Sequence, residues 1–380
     1  MAKEYCFLRL QRFASLNRSL PSIFLQRFNC VLKSSRLPAG KLEMEAQQGT
    51  TLVLNGKSAA ENDMARCLKK NDAVKLPDGS PVNVYLHSDI ENGQIIGSDD
   101  AFRVSSYMNS LSTNRLGKLL IYSPKLSSTH DIVSNNFVEL PVGAVCVADI
   151  QLKGRGRSKN TWESPKGCLL FSFTLQMEDG RIVPHVQYVV CLAMAEAIND
   201  VCRKNDMPAL DVRIKWPNDL YLHGLKVGGI LCTSTYKSKK FNVSVGIGLN
   251  VSNQQPTTCL NAVLQRLGCV DRLLQREDIM AAFFNKFESF YDIFITQGFQ
   301  ELEGQYYKRW LHSGQRIIVQ EKDDDTNQVS EYVVTIQGLT SSGYLLAISE
   351  DGQAHELHPD GNSFDFLKGL VSKKVGGAEH

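Results

Sequence analysis

The hydrophobic rhythm of the chain changes near Lys118. Beyond that point, short apolar runs of strand length alternate with longer stretches whose apolar residues recur at helical spacing. Strands are predicted at 119–123, 144–150, 169–175, 212–216, 226–233 and 242–249. Helices are predicted near 129–137, from about 184 to 204, at 257–267 and at 277–297. Strands interleaved with helices imply one α/β (α+β) domain on a mixed sheet, spanning 119–312. From about Ser313 the rhythm shortens. Strands at 316–320, 332–336, 344–347 and 354–357 are separated by Asp323-Asp324-Asp325, Ser342-Gly343, Asp351-Gly352 and Asp360-Gly361. Such spacing predicts a small C-terminal β-barrel over 313–372.

Before Lys118 the pattern is sparser. Strand-like runs at 51–54 and 82–86 flank a short helix at 61–70, with turns at Asn55-Gly56 and Asp78-Gly79. This predicts a separate small α/β module over 50–118. It carries no chemical motif and no helix-turn-helix pattern, so specific DNA binding is not expected. The first 43 residues hold Lys3, Arg9, Arg12, Arg18, Arg27, Lys33, Arg36 and Lys41 against Glu4 and Glu43. A basic, acid-poor, serine-containing leader reads as a transit peptide for a chloroplast or mitochondrion, or else as a disordered basic arm. Initiation at Met44 would leave a cytosolic form.

Composition narrows the function classes. A chain of 380 residues suits two or three domains, and 43% hydrophobic with 22% charged residues is ordinary for a soluble globular protein. The net charge of +2 does not call for a polyanionic partner. The ten cysteines are scattered without a C-x-x-C pair, which disfavours a zinc site and fits buried free thiols in a reducing compartment. No apolar run approaches the roughly 18 residues of a membrane span.

Five segments carry candidate chemistry. Lys153-Gly154-Arg155-Gly156-Arg157-Ser158-Lys159-Asn160 follows a strand. Its glycines permit a sharp turn and close approach, and its guanidinium groups can clamp phosphate or carboxylate oxygens. A solvated basic loop or an RNA-binding loop has the same composition. It is neither a Walker A loop nor a G-x-G-x-x-G turn. Trp162 offers a flat face for a purine. In Arg213-Ile214-Lys215-Trp216-Pro217-Asn218-Asp219, the proline ends a strand beside Lys215. That lysine calls for an anionic partner, either a bound ligand or Asp219 or Asp211. The pair Gly228-Gly229 permits close approach of a ligand or of another backbone. Asn250, closing Gly246-Ile247-Gly248-Leu249-Asn250-Val251, suits an adenine edge or a turn. Ser127, Ser128 and Thr129 either cap a helix or bind a polar head group.

Taken in order, these segments resemble the biotin–protein ligases, or holocarboxylase synthetases. The set is S-S-T-H-D, a glutamine before G-R-G-R with a tryptophan after it, K-W-P-N-D, K-V-G-G-I-L and G-I-G-L-N-V. The resemblance covers roughly 119–372 and looks most like the plant members. It implies a catalytic domain like that of class II aminoacyl-tRNA synthetases and an SH3-like C-terminal barrel. It also implies Mg²⁺-ATP as cosubstrate and the biotin carboxyl carrier domains of carboxylases as acceptors. By analogy Ser127, Ser128, Thr129 and Gln151 contact biotin, while Arg155, Gly156 and Arg157 close over its carboxylate and the phosphate. Trp162 packs on adenine, Lys215 meets the reacting carboxylate and acyl phosphate, and Asn250 lies by the nucleotide. Arg157 and Lys215 are the expected catalytic pair, Asp219 is a candidate base by proximity, and no metal ligand is identified. Two departures from the family pattern stand out: Ser158, Lys159 and Asn160 replace further glycines and arginines, and His130 replaces an asparagine. The alternatives are a lipoate- or octanoate-type protein acyl ligase, a basic-loop nucleic-acid-binding protein, and a non-catalytic biotin-binding regulator.

Overall fold

A computed structural model describes residues 49–90, 100–253, 255–322, 329–358, 362–365 and 370–373. The leader, and the turns at Asp323-Asp324-Asp325 and Asp360-Gly361, lie outside the described residues.

Nine strands form one mixed sheet, numbered in chain order: β1 (Thr50–Gly56), β2 (Val82–Leu86), β3 (Leu119–Leu126), β4 (Val145–Gln151), β5 (Cys168–Met177), β6 (Arg213–Lys215), β7 (Asp219–Leu222), β8 (Leu225–Lys237) and β9 (Lys240–Asn250). Their spatial order is β2-β1-β3-β4-β5-β9-β8-β7-β6. The β1/β2 and β3/β4 pairs are parallel and the others antiparallel.

Both faces of the sheet are covered, which is why its central strands read as nearly continuous apolar runs. On one face lie α4 (Val186–Lys204) and α6 (Arg276–Gln297). Phe283, Phe284 and Phe287 of α6 meet Phe171 and Phe173 of β5 edge-on or tilted, with ring centroids 5.2–5.8 Å apart. On the other face, α1 (Ala59–Lys70) and α3 (Thr129–Asn135) bury Ala65, Leu68, Ile132 and Val133 against Leu52, Leu54, Ile121 and Cys146.

That second core corrects the domain division expected at 118. Residues 50–118 are not a separate module. Strand β1 pairs antiparallel with β3 through Leu54↔Ile121 and Asn55↔Leu120, and α1 shares its core with β3 and β4. Leu54 and Ile121 are each buried on that shared face, so separating the two parts would expose both. The short helix α2 (Val104–Ser110) binds the same segment to α6: the Arg103 N–H donates to Glu277 Oε1 at 2.7 Å, and the Ser112 N–H to Asn285 Oδ1 at 2.8 Å.

The helix α5 (Leu260–Arg266) and a polar helix, α7 (Gln300–Arg309), complete this part. Pattern reading missed α7 because it buries only Leu302 and Tyr306 and so shows no apolar stripe. It missed β7 because Asn218-Asp219 reads as a turn. The C-terminal sheet holds β10 (Arg316–Lys322), β11 (Val329–Leu339), β12 (Leu345–Ser349), β13 (Ala354–Leu357), β14 (Asn362–Asp365) and β15 (Leu370–Lys373), in the order β13-β12-β11-β10-β15-β14. Four of these match the expected short strands; β14 and β15 were not anticipated. Ile317, Val319, Val334 and Ile336 join the same core as α4 and α6.

The eight described cysteines are all free, and five are buried. Among the described residues no helix is long and apolar enough to cross a membrane.

A buried polar knot sets the height of β4, whose last residue is Gln151. Asp149 accepts from the Tyr122 hydroxyl (2.6 Å) and the Phe102 N–H (3.0 Å), and pairs with Arg276 at 2.9 Å. Removing one member of a buried pair strands its partner. Asp149→Ala is therefore expected to lower stability by about 3–5 kcal/mol, read as a drop in the denaturant midpoint.

Candidate active site

The cleft exists because two neighbouring strands lack side chains where they pair. Gly229 of β8 lies opposite Gly248 of β9. A Cβ on Gly248 would stand 2.5 Å from Nε1 of Trp162, and one on Gly229 would stand 3.2 Å from its Cζ3. The indole therefore rests on a bare floor. The two members of the Gly228-Gly229 pair differ in role. A Cβ on Gly228 would meet the Gly248 carbonyl and the side chains of Leu249 and Leu220, so Gly228 serves strand packing and Gly229 the cleft. Gly246, two residues before Gly248 and on the same face, brings the floor up to His130 and Ser172.

The walls come from three segments. Ser128 caps α3, its Oγ accepting the Asp131 N–H at 3.4 Å. Gln151 Oε1 accepts both the N–H (2.7 Å) and the hydroxyl (2.9 Å) of Thr129, whose Oγ1 also lies 2.8 Å from Ser172 Oγ. His130 Nε2 lies 3.1 Å from Thr233 Oγ1. Burial pushes the basicity of His130 down, so a neutral imidazole lines this wall.

The basic loop is a closed hairpin. The Trp162 N–H donates to the Gly154 carbonyl at 2.9 Å, the Gly156 N–H to the Asn160 carbonyl at 2.8 Å, and Arg155 bridges Thr161. Gly154 is obligatory, since a Cβ there would lie 2.4 Å from the Trp162 carbonyl oxygen. Gly156 has an ordinary negative φ, and the left-handed residue of the turn is Ser158, with φ of 51°. The hairpin carries Arg157 to the mouth of the cleft, where its Nη1 donates to Asn218 Oδ1 at 3.2 Å. Asn218 is buried. Its amide donates to the Ile230 carbonyl, and its own carbonyl accepts the Ile230 N–H at 2.9 Å. Lys215, at the end of β6, lines the same cavity, whose volume is about 260 Å³.

Most expected site residues converge here. Ser128, Thr129, Gln151, Arg155, Gly156, Arg157, Trp162 and Lys215 all line the cleft. Two expected residues lie apart from this lining. Ser127 is outside the lining, and its carbonyl accepts the Lys153 N–H at 2.8 Å. Asn250 is also outside, buried, with its amide donating to Thr257 Oγ1 (3.2 Å) and the Thr258 carbonyl (3.1 Å); it braces a loop. Arg155 lines the cleft, but its Nε is held 2.8 Å from Asp131, so it ties the hairpin to α3. Asp219 lies 2.6 Å from Lys226 Nζ, and Asp211 lies 2.8 Å from Arg213 Nε. Lys226 also stands over the indole of Trp162, 5.4 Å from the ring centroid.

Over 332 residues the chain is 63% identical to biotin–protein ligase 2 of Arabidopsis thaliana, covering 87% of this chain and 100% of that protein. The chain belongs to the biotin–protein ligase family. It is 62% identical to the chloroplastic biotin–protein ligase 1 of the same plant, covering 87% of this chain and 90% of that one. Residues 122–250 match the biotin/lipoate A/B protein ligase family model, and residues 312–369 match the biotin protein ligase C-terminal domain. A solved structure, the R40G mutant of the Aquifex aeolicus biotin protein ligase in complex with biotin, matches at 25% identity. Its TM-score is 0.50, over 63% of this chain and 94% of that one.

Within this biotin–protein ligase fold, the sequence reading missed Ser172, Asn218 and Lys226 as parts of the site. Ser172 sits inside an apolar strand run, where a lone serine gives no signal. Asn218 sits in the K-W-P-N-D segment, where nothing local sets it apart from its neighbours. Lys226 preceded the glycine pair and was passed over.

The glycine floor generates a prediction. Gly248→Ala is expected to push the Trp162 indole off its seat, shifting tryptophan emission and lowering stability by about 1–3 kcal/mol, the range for overpacking a close contact. Gly229→Ala, with its longer 3.2 Å contact, is expected to be milder in the same denaturation and emission measurements. Equal and negligible effects would mean that the indole does not lie on this floor.

Proposed function

We propose that the cleft activates biotin with ATP as biotinyl-5′-AMP and then passes the biotinyl group to a lysine of a carboxylase's biotin carboxyl carrier domain. The observation that carries this reading is the convergence of Arg157 and Lys215, 58 residues apart in the chain, on one cavity floored by Gly229 and Gly248. The floor seats the Trp162 indole, and two cations beside it suit an acyl phosphate.

In the first step a biotin carboxylate oxygen attacks the α-phosphorus of ATP and pyrophosphate leaves. Negative charge grows on the phosphoryl oxygens, and fixed cations already aimed there lower the barrier without reorganising. Arg157 and Lys215 do this work. Asn218 holds the Arg157 guanidinium, and the Asp131–Arg155 pair holds the hairpin that carries it. The polar wall of Thr129, Gln151 and Ser172 faces the head group. Trp162 covers the bound intermediate and excludes water from the mixed anhydride.

In the second step the acceptor lysine nitrogen attacks the acyl carbon, AMP leaves, and the amine gives up a proton. Asp219, once the candidate base, is engaged by Lys226, and we assign it to orienting that ammonium over Trp162. Mg²⁺ would offset charge on the ATP phosphates. Asp219 is the only carboxylate among the described residues that line the cleft, so the metal would be held chiefly by phosphate oxygens and water, as Mg²⁺ commonly is. The basic leader would direct the chain to the chloroplast, in keeping with the name of the second Arabidopsis relative. Delivery to a mitochondrion and a cytosolic form from Met44 extend the same reading.

Two measurements test this reading. Incubation with a biotin carboxyl carrier domain, biotin and Mg-ATP is expected to raise the carrier's mass by one biotinyl group on one lysine. An unchanged carrier would refute the transfer, and a lipoyl adduct formed in its place would favour the lipoate-type alternative. Lys215→Ala is expected to lower biotin-dependent pyrophosphate–ATP exchange by at least about a hundredfold, the scale of losing one electrostatic contact in a transition state. Exchange at the parental rate would remove Lys215 from the chemistry.

A further inference from the structure

The strand that presents Lys215 lies at the edge of the sheet, and its outer side is closed by an unusual partner. The segment leading from α7 to the C-terminal sheet runs alongside it. Trp310 bridges Ile214 in parallel, and the Leu311 N–H donates to the Ile214 carbonyl at 2.9 Å. A continuing strand would next offer a carbonyl to the Trp216 N–H. Instead the chain turns away, and the imidazole of His312 takes that place, its Nε2 accepting the Trp216 N–H at 3.0 Å. The peptide groups on both sides of Lys215 are therefore fixed from residues 311 and 312.

The imidazole is set for this role. His312 is fully buried, at 0% exposure. Its Nδ1 lies 2.9 Å from Gln315 Oε1. An amide oxygen only accepts, so Nδ1 carries the proton and Nε2 keeps its lone pair for Trp216. Burial, and then the charge of Lys215, push its pKa down to about 4, so the ring stays neutral. Trp216 is also held from the other side: its indole N–H donates to the Tyr188 hydroxyl at 3.0 Å, and that hydroxyl donates to the Gly343 carbonyl in the turn before β12.

The geometry points to His312 as the positioning residue for Lys215, an imidazole that stands in for a strand carbonyl and makes activation of the acyl group depend on the joint with the C-terminal sheet. This rests on the role given to Lys215 above. His312 touches no substrate. It acts by holding the backbone at Lys215–Trp216, so its loss affects turnover more than substrate affinity.

The test compares five variants of the full chain in biotin-dependent pyrophosphate–ATP exchange, with thermal unfolding measured on each. His312→Leu fills the space without an acceptor and is expected to lower kcat about tenfold or more, with KM for biotin changed less than about threefold. His312→Gln, which restores an acceptor oxygen, is expected to recover most of that loss. In a Lys215→Ala background His312→Leu is expected to cost little more, because both act through one group. Gln315→Met, which leaves the imidazole tautomer unset, is expected to give a smaller loss, and it decides the matter if His312→Leu does not fold. Parental kcat in folded His312→Leu or in Gln315→Met, no recovery with Gln at 312, or an undiminished further loss in the Lys215→Ala background would each overturn the inference. Lys215→Ala at the parental rate would instead sink the assignment of Lys215 itself.

Discussion

The absence of side chains where Gly229 faces Gly248 is the constraint on which the rest of the site depends. A mixed sheet with both faces covered is normally filled by side chains. On β8 and β9 this filling is interrupted at one cross-strand pair, and Gly246 extends the gap by one step. The space is closed from above by Trp162 at the foot of the basic hairpin, and its buried Nε1 has no hydrogen-bond partner among the described residues. The indole rests on backbone there, with the Lys226 ammonium 5.4 Å from its ring centroid.

The cations are placed by different means. Arg157 is carried on a hairpin that closes on itself and is tied to α3 through Arg155 and Asp131. Its guanidinium then meets Asn218, which is itself fixed to Ile230 of β8. Lys215 is carried on the shortest strand of the sheet, three residues long. A strand that short has little pairing of its own and needs its outer edge closed, which the segment after α7 supplies. Positioning within fractions of an ångström is what a site of fixed charges requires. The C-terminal sheet is part of the same core, so that requirement reaches well beyond the cleft.

Much of this was legible in the chain. The apolar runs at 169–175 and 242–249 are strands because both faces of β5 and β9 are buried, and runs buried on both faces need no alternation to be recognised. The ordered motifs located the floor, the hairpin and the Lys215 strand. What failed was long-range. Nothing local in 50–118 announces that β1 pairs with β3, since pairing partners are set by tertiary burial. Asn250 ends a glycine-bearing strand, a place that suits a ligand contact or a loop brace equally, and only the position of Thr257 and Thr258 decides. The roles of Asn218 and His312 depend on residues 61 and 96 positions away, beyond any motif.

Central to the proposed reaction is one acyl phosphate held by both Arg157 and Lys215. Its most direct measurement is a double-mutant cycle on the affinity of a non-hydrolysable biotinyl-adenylate analogue, using Arg157→Ala, Lys215→Ala and the pair. Two groups acting on one phosphate are expected to couple, with a double variant weaker than the parent by less than the product of the single losses. Losses that multiply independently, or an analogue bound as tightly by both single variants as by the parent, would contradict it.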